Sequence, residues 1–73
     1  MSFYEYMQSF DGDNTPLGEL VAWINQDANF PRDATLPSDI LLYCRKAYMP
    51  HHIEMMNVKR ALGVYNQFTN HID

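Results

Sequence analysis

His51, His52 and Glu54 lie within one short stretch, and two imidazoles with a carboxylate are a ligand set that holds zinc or iron. Their spacing argues for a plainer role. Adjacent side chains on a helix project about 100 degrees apart, so His51 and His52 diverge and only His51 and Glu54 share a face. The strong helical zinc motif sets its histidines four apart. A solvated polar cluster is therefore expected, with His71 and Asp73 as the further ligands that the terminus offers. No metal and no cofactor is expected.

Cys44 is the single thiol of the chain. A nucleophilic cysteine needs exposure, a lowered pKa and a nearby base, whereas Cys44 falls on an apolar stripe, where a thiol behaves as a small hydrophobe. The nine carboxylates are scattered. Asp11 and Asp13 flank Gly12 in a stretch that reads as a turn, and the closing glutamate of a calcium loop is missing. Gly12, Gly18 and Gly63 are isolated from one another, so no glycine-rich cradle for phosphate exists. An enzyme is not expected.

Charge is distributed more tellingly. Residues 1 to 31 contain Glu5, Asp11, Asp13, Glu19 and Asp27 and no lysine or arginine, while Arg32, Arg45, Lys46, Lys59 and Arg60 all follow. Two basic dipeptides, Arg45-Lys46 and Lys59-Arg60, are the candidate interaction surface. Such asymmetry steers two copies, or a partner, into a head-to-tail contact, against the plainer alternative that these are ordinary solvated faces. The formal net charge of −4 weighs against a dedicated nucleic-acid binder, whose affinity comes from neutralising phosphates.

These residues must be carried by a small body. A chain of 73 residues buries only roughly 60% of its unfolded surface, which predicts a single domain over residues 1 to 73. At 47% hydrophobic and 14% aromatic it has the side chains for a minimal core. One cysteine allows no internal disulfide and fits a reducing compartment. Residues 1 to 5 lack the basic start and apolar run of a signal peptide, and no stretch of about 18 apolar residues offers a membrane span. A cytoplasmic location without membrane attachment is expected.

Four helices and one short helical turn follow from the pattern. Ser2 with Glu5 is a capping box that opens a first helix over residues 3 to 10, with Phe3, Tyr6, Met7 and Phe10 on one face. Thr15-Pro16 opens a second, with Leu17, Leu20, Val21, Ile24 and Ala28 as its stripe, Trp23 at the edge and Phe30-Pro31 as its close. Thr35 is the expected cap of a third, with Pro37 in its first turn and Leu36, Ile40, Tyr43, Cys44 and Ala47 on one side. After Tyr48-Met49-Pro50 a helical turn is expected over residues 51 to 56. Asn57 then caps a last helix carrying Val58, Ala61, Leu62, Tyr65, Phe68 and Ile72, with Gly63 on the opposite face. No segment alternates with period two, so the fold class is all-α.

Ser2-Phe3-Tyr4 with Tyr6, then Ile24, Asp27 and Phe30-Pro31, then Ile40 and Tyr43, then Ala61 and Tyr65 follow one another in an order that resembles the YozE-like family of small bacterial proteins. The resemblance covers nearly the whole chain. It departs where Leu62 stands in place of a tryptophan common in that family, and residues 48 to 52 look one residue longer. It implies a compact five-helix bundle like the sterile alpha motif (SAM) and brings no catalytic residues and no assigned function. SAM domains in general associate head to tail. The expected function is thus a small protein–protein interaction module that binds another protein or itself, an expectation to which the aromatic surplus at Tyr48-Met49 also contributes. The alternative is weak nucleic-acid binding through a patch formed by the two basic dipeptides.

Overall fold

The capping box forms as its residue types require: the Ser2 backbone N–H donates to Glu5 Oε1 at 3.0 Å, and the Glu5 N–H donates to Ser2 Oγ at 3.2 Å. The bond from the Ser2 backbone N–H, and after it hydrogen bonding from the Ser2 side chain, holds the Glu5 carboxyl below its usual range. In a computed structural model that describes residues 1 to 47 and 49 to 70, the box opens α1 (Phe3–Met7), which tightens into a 3₁₀ turn at Gln8–Phe10. Tyr48, His71, Ile72 and Asp73 lie outside the described residues, and with them the expectations placed on those positions.

Gly12 carries the chain through the turn at φ +85°, a conformation that costs glycine nothing. Thr15 caps α2 (Pro16–Gln26) by accepting the Gly18 N–H at 3.2 Å, with Pro16 in the first turn. The helix ends earlier than Phe30-Pro31 predicts. Asp27 adopts an extended backbone and its Oδ1 accepts the Asn29 N–H at 3.1 Å, a local bond that competes with helix continuation. Ala28 is accordingly exposed rather than part of the stripe, and Phe30 turns inward instead of closing a helix.

Thr35 does not cap α3 (Pro37–Lys46); Leu36 holds the cap position without a side-chain bond. Pro37 explains the shift, since the residue before a proline is driven to extended backbone, here φ −93° and ψ 127°. Leu36 is exposed as a result. The expected turn after Pro50 is present as one hydrogen bond, from the Ile53 N–H to the Pro50 carbonyl at 3.0 Å. α4 (Met55–Asn70) already begins at Met55, because the Glu54 carbonyl receives the N–H groups of Asn57 and Val58. Asn57 therefore sits inside the helix instead of capping it.

α4 packs against α1, α2 and α3, and α1 also packs on α2. Met7, Val21, Ile24 and Ile40 are wholly buried where these helices meet, with Phe3, Leu20, Cys44, Val58, Ala61 and Tyr65 close behind. Two bonds tie the N-terminus to this centre: the Phe3 N–H donates to the Ala34 carbonyl at 3.1 Å, and the Tyr65 hydroxyl donates to the Met1 carbonyl at 2.7 Å. The radius of gyration, 11.4 Å, compares with about 11 Å for a compact chain of this length. Among the described residues there is no strand, so the all-α bundle predicted from periodicity is the observed one.

Candidate functional site

Phe30 organises the part of the surface where chemistry-bearing side chains converge. Its buried ring meets Trp23 edge-on at 6.3 Å and Tyr43 edge-on at 5.5 Å, so an indole from α2 and a phenol from α3 are held on either side of it. Between them lies an open cleft of about 410 Å³, lined by Trp23, Gln26, Asp27, Asn29, Tyr43 and Ala47. Asp27 is fixed there from three directions. Its backbone N–H closes α2 on the Trp23 and Ile24 carbonyls, its Oδ1 accepts the Asn29 N–H, and its Oδ2 accepts the Tyr43 hydroxyl. A second hollow of about 280 Å³ shares Trp23 and Gln26 and continues along α2 to Glu19, Pro50 and His52.

The bond to Asp27, reinforced by burial and by the carboxylate's charge, pushes the Tyr43 hydroxyl up to about 12 from an ordinary 10.0. Burial first, and then the charge of Asp27, pushes the Cys44 thiol up to about 11 from an ordinary 9.0. Cys44 is therefore a protonated core side chain at neutral pH, in the place its stripe predicts. Both groups hold their protons longer in the folded than in the unfolded chain. Their contribution is complete below about pH 9 and is lost as pH rises toward about 12. Urea midpoints should accordingly stay level to about pH 8 and fall above it, with a shallower fall in Tyr43→Phe.

The four basic side chains are all exposed. Arg45 and Lys46 form the last turn of α3, where cations also favour the helix dipole, and Lys59 and Arg60 lie in the first half of α4. Arg60 lines a cavity of about 270 Å³ with Phe10, Asp13 and Leu17 at the start of α2. That cavity includes neither Arg45 nor Lys46. Arg32, the fifth basic residue, is used within the chain: its guanidinium lies 4.8 Å from the centre of the Tyr4 ring.

Exposed apolar side chains accompany both pairs. Leu42, 53% exposed, precedes Arg45 and Lys46 by three and four positions, and Met56, 64% exposed, precedes Lys59 and Arg60 by the same steps. Each pair thus shares a helix face with one large apolar side chain. His51, His52 and Glu54 are exposed, and among the described residues no three histidine, cysteine or carboxylate side chains converge as a metal site. No helix of the described residues is long and apolar enough to cross a membrane.

Periodicity missed the cleft, although Asp27, Phe30 and Tyr43 stand among the residues that carry the family resemblance. Asp27 and Tyr43 are sixteen positions apart. An acid and a phenol of that separation carry no local signal of contact; their shared membership of the motif is the only hint that the sequence contains.

The model of a family described as YozE SAM-like fold matches residues 2–67 of the chain. No curated protein matches it, and no solved structure does.

Proposed function

The chain belongs to the YozE SAM-like family, and from that premise we propose that it is a protein–protein interaction module whose basic helix faces dock on an acidic protein surface. The observation that carries this reading is the repeated arrangement of an exposed apolar side chain followed at three and four positions by two cations, Leu42 with Arg45 and Lys46 and Met56 with Lys59 and Arg60. An apolar anchor ringed by charge supplies contact energy and steering together. The acidic exposed residues Asp11, Asp13 and Glu19 make a second copy one surface of the required sign.

Sedimentation of the purified protein over a concentration series at low and high salt tests the self-associating form. Association that salt weakens, and that Arg45→Glu with Lys46→Glu removes, supports a contact between copies. A monomer throughout directs the search to heterologous partners by capture from a native lysate. Blank results in both experiments sink the proposal, and steeply salt-dependent binding of DNA or RNA in place of protein replaces it with the nucleic-acid reading.

A further inference from the structure

We infer that the cleft between α2 and α3 is a second binding site, one that receives an arginine side chain from a partner protein between the Trp23 indole and the Asp27 carboxylate. Three features of the cleft match a guanidinium. Asp27 presents a carboxylate whose position is fixed before any ligand arrives by the Asn29 N–H and the Tyr43 hydroxyl. Each of its oxygens accepts one of those bonds and has a further lone pair for a charged donor. Trp23 and Tyr43, both backed by Phe30, supply aromatic surface of the kind on which a planar cation stacks.

The surroundings select for the same charge. Among the described residues no lysine or arginine lines the cleft or the hollow that continues it, and Glu19, with His52, lines that hollow. Lys46 follows Tyr43 by one turn of α3 but is not part of the lining. Of the chain's own arginines, Arg32 lies over Tyr4 and Arg60 lines the cavity at the start of α2. The hollow beyond Trp23, walled by Ala22 and Pro50, has room for an apolar neighbour of the incoming arginine. The site is distinct from the basic faces of α3 and α4 and would stand if those faces bound nothing.

Trp23 is the only tryptophan, so its indole N–H resonance and its fluorescence report on this cleft and the hollow that continues it. The test is titration of dilute protein with a short peptide of arginine and leucine residues, against the same peptide with citrulline in place of arginine. The inference expects a saturable shift of the Trp23 indole resonance with the arginine peptide. The citrulline peptide should bind at least about tenfold more weakly, and Asp27→Asn should weaken the arginine peptide by about tenfold as well. Asparagine keeps one acceptor oxygen, for the Tyr43 hydroxyl or for the Asn29 N–H but not for both, and dispersion of the remaining amide resonances shows that the variant is folded. Equal shifts from both peptides, no shift at about millimolar peptide, or unchanged affinity in Asp27→Asn would overturn the inference. A shift of the indole that depends on protein concentration without peptide would overturn it in favour of a second copy as the occupant.

Discussion

Phe3→Ala is expected to leave the chain largely unfolded at room temperature. Phe3 is 1% exposed, its ring meets Tyr65 edge-on at 5.5 Å and Phe30 at 6.4 Å, and its backbone N–H holds the loop carbonyl of Ala34. Truncating a buried phenylalanine costs about 3–5 kcal/mol. A core of this size supplies about 3–5 kcal/mol of net stability. The loss therefore equals the whole, and circular dichroism should show little cooperative melting. Leu42→Ala is the matching control: a half-exposed leucine on α3, replaced by a better helix former, should change stability by no more than about 0.5 kcal/mol. A stable Phe3→Ala variant would show that α1 is not part of the core that holds α4.

Gly18→Ala should destabilise by about 1–3 kcal/mol, against the ordinary preference of a helix for alanine. A Cβ at Gly18 would overlap the carbonyl oxygen of Asp13 and lie 2.7 Å from its carbon. The obstacle is backbone, held in turn by the Asp13 N–H to the Phe10 carbonyl at 3.1 Å, so the loop must move as a body. Gly63→Ala has the opposite sign. Nothing lies within 4 Å of a Cβ there, and an exposed glycine inside a helix costs about 0.5–1 kcal/mol relative to alanine. In thermal melts of a domain this small, each kcal/mol appears as about 4–8 °C. A stabilising Gly18→Ala would contradict the packing of the loop on α2.

Local rules carried most of the fold. The Ser2 and Glu5 pair, Pro16 and Pro37 in first turns, and the stripes through Cys44 and Tyr65 are written in spacings of three and four, and the helices formed where those spacings lie, although Leu36 and Phe68, read as members of those stripes, are exposed. The errors came where two local signals competed. Thr35 is a better capping residue than Leu36, but Pro37 sets the backbone of the residue before it. Asn57 reads as a cap, but the Glu54 carbonyl had already taken the first helical bonds. At the far end of α2, Asp27 ended the helix before Phe30-Pro31 could.

The candidate sites differ in the same way. The basic pairs were legible because charge needs only composition and order, and their exposure follows from the stripe opposite. The cleft was not, because it depends on Phe30 folding inward to hold Trp23 and Tyr43 apart with Asp27 between them. Gly18 was invisible for a related reason: its role is to make room for a carbonyl five positions earlier, across a loop whose path the sequence does not specify.

The most direct measurement of the interaction reading compares what the folded protein captures from a native lysate with what is captured by the variant carrying Arg45→Glu, Lys46→Glu, Lys59→Glu and Arg60→Glu. If the basic faces dock an acidic protein surface, a protein held by the wild type, or a second copy of the chain itself, is lost from the variant, and added salt weakens its capture. If the captured proteins are the same for both, the faces of α3 and α4 are ordinary solvated surface and the proposed function is wrong.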